Sequence, residues 1–325
     1  MSYSFLRESK LYIVYGGTKY RIYTSSAISL NQTFAEDSYS VKTLHDQSKM
    51  FEGSIINKAN PASFSFDVPL TIEKDESVII DLLSDLTAGQ LTSFDIYIVT
   101  TNSTFKLENA VITNSSMDFI PDNPFIIRLE GEGTKLTRVG DESQTIPGDG
   151  VTGSDYTTDP PEVLFPELRN RTRTPLIVYP VISADSLDMT HIISVNLRIS
   201  NEINWTNYST LQDSLLITNN DTDTIMFPSK YTVERRTASG EIRQYQVDNN
   251  VSQFDNFSTN TDLTIKAIKV GNAPSATPFF QIRLNPISYT ARVDVAPVFT
   301  QSYDFKSLDN TALDSRITQY ENNYS

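Results

Sequence analysis

The chain has no cysteine, which removes a disulfide framework, thiolate metal centres and a cysteine nucleophile together. Among its 325 residues are only 2 histidines and 1 tryptophan. A nucleophilic triad would have to take its base from His45 or His191, and two histidines so far apart make no metal site by spacing. A single tryptophan, Trp205, is thin for a sugar-stacking platform. Positive charge is short as well: 26 Lys and Arg against 40 Asp and Glu give a net charge of -14. Such a surface repels polyphosphate and argues against a nucleic-acid reader. No run approaches the ~18 to 20 apolar residues that span a bilayer, and residues 1–10 hold no apolar stretch of signal-peptide length. The expectation is cytoplasmic synthesis without membrane insertion, with triplets such as Asn102-Ser103-Thr104 and Asn207-Tyr208-Ser209 arising from composition rather than glycosylation.

What the chain does contain is a β-rich pattern written twice. Ile28-Ser29-Leu30-Asn31, followed by Phe34 and Glu36, returns as Ile193-Ser194-Val195-Asn196, followed by Ile199 and Glu202. Each half then closes with three strand-like runs in the same order. Self-similarity at half the chain length bears on fold and symmetry before any local motif does. A chain of 325 residues also suits two units of about 150, each large enough to bury a core.

Along the first half, residues 10–15 and 18–23 read as a hairpin closed by Gly16-Gly17, which supplies the positive φ of a tight turn. Residues 27–34 continue as a strand with Ile28 and Leu30 on one face. Residues 35–61 lose periodicity and mix charge with Val41, Leu44, Met50 and Phe51. A structureless loop of that length is uncommon in a compact domain. It is expected either to dock onto another subunit or to pack internally. Residues 63–68 alternate strictly as a strand. Asp75-Glu76-Ser77 then caps a helix that buries Val78, Ile79, Leu82, Leu83 and Leu86 and ends at Gly89. Strands follow at residues 94–100, 104–113 and 125–135.

The Gly- and Pro-rich residues 140–174 read as the linker between a first domain, 1–139, and a second, 175–308, with a tail at 309–325. Within the linker region Arg169, Arg171 and Arg173 are expected to meet acidic neighbours rather than phosphate. The second half gives strands at residues 176–182, 191–199, 224–235, 263–270, 279–284, 288–295 and 298–305. Residues 201–223, with Trp205, Tyr208, Leu211, Leu215 and Leu216, are the counterpart of the long loop. Residues 248–258 offer only a weak counterpart of the helix.

Nothing in the pattern singles out catalytic, cofactor-binding or metal-binding residues. Gly131-Glu132-Gly133-Thr134-Lys135 lacks the phosphate-loop spacing and ends a strand, and Asp221 with Asp223 lacks the Gly and distal Glu of a calcium loop. No pair stands out among the 40 acidic residues for glycoside cleavage. The expectation is therefore a protein that is not an enzyme and needs no cofactor. Val41, Leu44, Met50, Phe51, Trp205, Tyr208 and Leu211 are instead expected at contacts between subunits. An adhesin or receptor-binding protein and a β-rich polysaccharide hydrolase are the rival readings.

Phe5-Leu6-Arg7 leading into the first hairpin, the long loop ending in Ser63-Phe64-Ser65-Phe66, the single helix and the run from Pro124 to Gly133 resemble bacteriophage tail tube proteins. Residues 297–305 end the second half in a similar way. The likeness is to long-tailed siphophage tubes with the tube domain duplicated in one chain. It implies a mainly β fold of two tandem antiparallel sandwich or barrel-forming units, each with at most one flanking helix. It further implies a virion component that polymerises as stacked rings into the conduit for genome ejection, three copies to a ring. Its partners are then itself, the tape measure protein and DNA in the lumen, and the tail terminator and tip proteins. For such a bore, acidic and neutral side chains rather than Lys or Arg clusters are expected on the inward face near residues 27–34 and 191–199.

Overall fold

The computed structural model describes residues 9–42, 50–71, 78–84, 86–87, 90–100, 103–138, 175–184, 189–206, 227–247, 261–295, 297–307 and 317–319. β1 (Lys10–Tyr15) and β2 (Thr18–Ile22) form the expected hairpin, with Gly16 and Gly17 at φ 56° and 79° in its turn. β3 (Ser29–Asn31), β4 (Phe34–Lys42), β5 (Met50–Ala59) and β6 (Ala62–Pro69) follow. Then come the short helix α1 (Val78–Ser84), the two-residue strands β7 (Leu86–Thr87) and β8 (Gln90–Leu91), and β9 (Phe94–Val99). β10 (Thr104–Phe119), β11 (Ile126–Gly133) and β12 (Lys135–Arg138) complete the first half. The second half carries β13 (Val178–Ala184), β14 (Ile192–Thr206), β15 (Lys230–Tyr245), β16 (Thr261–Lys269), β17 (Phe280–Asp294), β18 (Thr300–Ser307) and β19 (Ile317–Gln319). The fold is mainly β and every named pairing is antiparallel.

Three sequence expectations change. The expected loop at residues 35–61 is largely the hairpin β4–β5, which among the described residues pairs only within itself. Opposite the Ala35–Glu36 step the extra residue Asn57 bulges β5, which shifts the alternation of that strand by one residue. The expected strand at residues 27–34 breaks after β3, and the Gln32 side chain fills the gap. Its Nε2 donates to the carbonyls of Asn60 at 3.0 Å and Thr134 at 3.1 Å, and its Oε1 accepts from the Leu136 amide at 2.9 Å. Conversely, the two runs at residues 279–284 and 288–295 form one strand, β17. Pro286 sits where the β16–β17 register shifts, so its missing N–H costs no ladder bond at a regular position. β19 lies inside the expected tail and pairs with β17. The linker, the cap at Asp75-Glu76-Ser77, Gly89, His45 and the weak second helix at residues 248–258 lie outside the described residues.

β10 belongs to two layers. Its first part pairs with β9 and β12, and beyond a register shift at Asn109 (φ 47°) its second part pairs with β11 on one side and β14 on the other. In the first half the order across the sheet is β3-β6-β11-β10, with β9 and then β1 behind β10's first part. In the second half it is β14-β15-β18-β17, with β16 and then β13 behind the start of β17. The β10–β14 ladder joins the two runs into a 15-stranded sheet.

Alternation along these strands puts Phe64, Phe66, Leu129, Met117, Phe119, Leu197, Ile199, Ile242 and Phe305 in one buried cluster with Val78, Ile79, Leu82 and Leu83 of α1. The cluster runs through both halves, so they share a core instead of owning separate ones. Phe125 stands between Phe119 and Phe279 at 4.8 and 5.9 Å between ring centroids, and Arg236 Nη2 of β15 donates to Leu83 O of α1 at 2.7 Å. The Tyr303 hydroxyl donates to Gln301 Oε1 at 2.9 Å inside the core, and burial pushes its pKa up from 10.0 to about 12. A raised value means that the folded state holds the proton more tightly, so this contribution is complete below about pH 10 and is lost as pH rises toward 12. We expect Tyr303→Phe to flatten the alkaline limb of stability in that window, as read by denaturant melts at pH 9 and 11.5.

Candidate assembly face and edges

The side of the sheet turned away from the core is mainly polar, with Ile120 and Tyr245 as exposed apolar exceptions at its margin. β3 presents Ser29 and Asn31, both exposed, and β6 presents Ser63, Ser65 and Asp67. Residues across neighbouring strands fall into rows. Arg128, Ser116, Arg198, Ser239, Lys306 and Ser288 are consecutive register partners, so cations on β11, β14 and β18 alternate with serines on β10, β15 and β17. The next row is Asp118, Asn196, Glu241, Asp304 and Thr290. The row beyond it sets Arg243 and Arg292 on either side of Ser302. Arg128 Nη1 lies 3.4 Å from Asp118 Oδ2, and Arg292 lies 3.3 Å from Asp294 and 3.7 Å from Glu241. Arg198, Ser239, Glu241, Thr290, Asp304 and Lys306 line a shallow concavity of this face. The charge is thus banded and locally paired. Basic residues stand on this face in rows, each beside a row of acids.

The β10–β14 seam joins the two halves of the chain. Ser116 faces Arg198 and Asp118 faces Asn196, whose Nδ2 donates to Asp118 Oδ1. Ser200 Oγ donates to Asn114 Oδ1 at 2.9 Å, and the buried Asn201 Nδ2 donates to Ile112 O at 2.8 Å. Farther along, Trp205 Nε1 donates to Glu132 Oε2 at 2.6 Å and its ring lies 5.1 Å from Tyr231, whose hydroxyl donates to Leu91 O at 2.9 Å. Trp205, expected at a contact surface, is therefore placed between the halves of its own chain. Because it is the only tryptophan, its fluorescence reports the seam. Glu132→Ala should shift its emission to the red, and an unchanged spectrum would show that the carboxylate does not define its surroundings.

At either end of the two-unit run the sheet stays open. Among the described residues, β3 pairs with β6 alone, and residues 288–294 of β17 pair with β18 on one side only. Matching rows relate these edges to the seam. Leu30, Phe64, Gly131 and Ile112 form one row, and Leu197, Gly240, Phe305 and Tyr289 form the other, each with a glycine opposite a phenylalanine. Superposing them equates Leu30 with Leu197, two residues from the Val195 that the repeated motif suggests, on the same face. Arg292 and Asp294 then occupy the places of Ser116 and Asp118, and Asn31 and Ser29 those of Arg198 and Asn196.

Of the other residues expected at contacts, Val41 is the register partner of Phe51, and Met50 that of Lys42, in the β4–β5 hairpin. Leu44, Tyr208 and Leu211 lie outside the described residues. The seam residues Asn196 and Asp118 went unassigned, although the Asn ending the repeated motif was their signal. Among the described residues no group of three metal-ligating side chains occurs, and no helix is long and apolar enough to cross a membrane.

Residues 1–147 match the model of the bacteriophage baseplate tube protein family. No curated protein matches the chain. The family match supports a phage tail-related protein: a structural component of a tail or baseplate, and so of the virion.

Proposed function

We propose that the chain is a non-enzymatic tube subunit of two tandem tube units, three copies of which close into a ring of pseudo-sixfold symmetry. Rings of this kind stack into the tail tube that conducts the genome. The observation that carries the reading is the internal β10–β14 ladder together with the open edges of β3 and β17. The chain makes once, within itself, the contact that each ring would need between chains. Closure satisfies the open edges, which otherwise template aggregation. The polar face then lines the bore, and its bands of opposite sign offer DNA or tape measure protein no continuous cationic track to hold it. The family match over the first unit agrees with this role, and the siphophage-type duplication remains part of the proposal.

The absence of native cysteine makes a direct test clean. In the doubly substituted chain Ser29→Cys, Asp294→Cys, the transferred register puts the two thiols opposite each other on different copies. Oxidation of the assembled protein should give a covalent closed trimer on a denaturing gel, reversed by reductant. Disulfide-linked ladders without a trimer limit, or no cross-link in assembled material, would count against ring closure through these edges.

A further inference from the structure

The segment that leads into β13 seals one end of the first half. Leu176 lies between two strand ends there: its amide donates to the Leu70 carbonyl at 2.8 Å, and its carbonyl accepts from the Phe125 amide at 2.9 Å. Single bridges on either side, Thr71 with Pro175 and Pro124 with Ile177, extend the contact. Beneath it Leu70, Phe119 and Phe125 are at most 1% exposed.

The second half repeats this end without the seal. Continuing the glycine–phenylalanine rows along their strands equates Leu70 with Gln246 and Phe125 with Phe299. The backbone agrees: the Leu70 amide donates to Phe125 O at 3.0 Å, and the Gln246 amide to Phe299 O at 2.9 Å. Among the described residues nothing enters the slot between them, and neither the Phe299 amide nor the Gln246 carbonyl has a partner. Phe299 is 47% exposed, and Val295, in the place of Phe119, is 77% exposed. The floor of the slot is polar: Gln244 and Gln301 stand where the first half has Val68 and Ile127. Gln244 Oε1, Gln246 Oε1 and Gln301 Nε2 are buried with no partner among the described residues. Buried amides are costly when unpaired, so this end of the sheet lacks a covering segment.

We infer that the slot between Gln246 and Phe299 receives Ser4-Phe5-Leu6 of the next copy in the ring, with Phe5 in the place of Leu176. This inference rests on the tube-subunit reading above. Residues 1–8 lie outside the described residues, and their place in the repeat selects them. Ile13 and Ala184 hold matching positions, because they face Ile96 and Leu263, whose partners on β10 and β17 are Leu107 and Leu284. Leu107 and Leu284 in turn stand five residues before Ile112 and Tyr289 of the matched rows. Eight residues before Ile13 is Phe5, and eight before Ala184 is Leu176. Phe5-Leu6 is an apolar pair, as Leu176-Ile177 is. The next copy is the donor because its β3 meets the β17 edge in a closed ring, and β3 and β1 belong to one half, as β14 and β13 do at the seam within the chain.

The test uses full-length chains carrying Leu6→Cys and Val298→Cys. These positions correspond to the bridged pair Ile177 and Pro124, which lies within disulfide reach, and the chain has no native cysteine. Oxidised where wild type forms rings, the variant should give a covalent trimer on a denaturing gel, reversed by reductant. The Ser29→Cys, Asp294→Cys chain, treated in parallel, reports closure of the β3–β17 edge alone. A trimer from the edge pair with none from the Leu6 and Val298 positions overturns this inference and leaves the tube-subunit reading standing. A disulfide confined to one chain overturns it as well. No cross-link from either pair in assembled material removes both. Independently, Phe5→Ser should melt like wild type as a monomer yet require at least about tenfold more protein to form rings, given the apolar area withdrawn from each seam. Rings from Phe5→Ser at the wild-type concentration would overturn the inference.

Discussion

Gly131→Val should leave no stably folded chain. Gly131 of β11 lies between the Phe64 ring on β6 and the Val111 carbonyl on β10, and a Cβ at this position would collide with both. One obstacle is the side chain that fills the core and the other is ladder backbone, so neither yields without moving a strand. Overpacking of this kind costs about 3 kcal/mol or more, out of a total stability of about 5 to 15 kcal/mol. Gly240 repeats the arrangement with the partners exchanged: a Cβ there would meet the Asn196 carbonyl and, at 2.8 Å, the Phe305 ring. Gly240→Val should fail in the same way. Urea titration of the soluble fraction checks both variants, and a wild-type midpoint for either would mean that the cross-strand glycine–phenylalanine rows do not set the spacing of the sheet.

Proline on β17 should separate folding from assembly. Successive residues of an antiparallel strand send their N–H groups to opposite sides, so of Thr290→Pro and Ala291→Pro one removes a donor from the β18 ladder and the other from the open edge. The edge variant should melt like wild type yet stay monomeric where wild type forms rings. Losing about 2 kcal/mol of ladder pairing at each seam, three times in a closed trimer, lowers ring formation by about 10⁴-fold. Sedimentation at matched concentrations reads this directly. Rings from both variants at wild-type concentration would show that this edge is not an assembly surface.

The parts of the fold that were legible in the sequence are those in which local chemistry and burial agree. Gly16-Gly17 demanded a left-handed turn, residues 63–68 alternate because one face packs against the core, and Val78, Ile79, Leu82 and Leu83 mark the buried stripe of α1. The β4–β5 hairpin is hard to read because the extra residue Asn57, opposite the Ala35–Glu36 step, breaks the alternation of β5 on which strand recognition depends. Pro286 made β17 look like two strands, since sequence alone does not show that it falls at a register shift. The motif repeated at Asn31 and Asn196 marks β3 and β14, but not their register in the sheet. The motif aligns Leu30 with Val195, whereas the glycine–phenylalanine rows align Leu30 with Leu197. Register is a property of paired strands, and a shift of two residues keeps every side chain on its face. The banded charge of the polar face was illegible for the same reason, because Arg128, Arg198 and Lys306 become neighbours only through ladders that join distant segments.

The number of chains in one assembled ring tests the central claim most directly. Native mass spectrometry of isolated rings, or averaged end-on images of tubes, should give three chains and six similar lobes, with the β10–β14 seam alternating with a β17–β3 seam between copies. Six whole chains in a ring, or a particle with no closed symmetry, would contradict it.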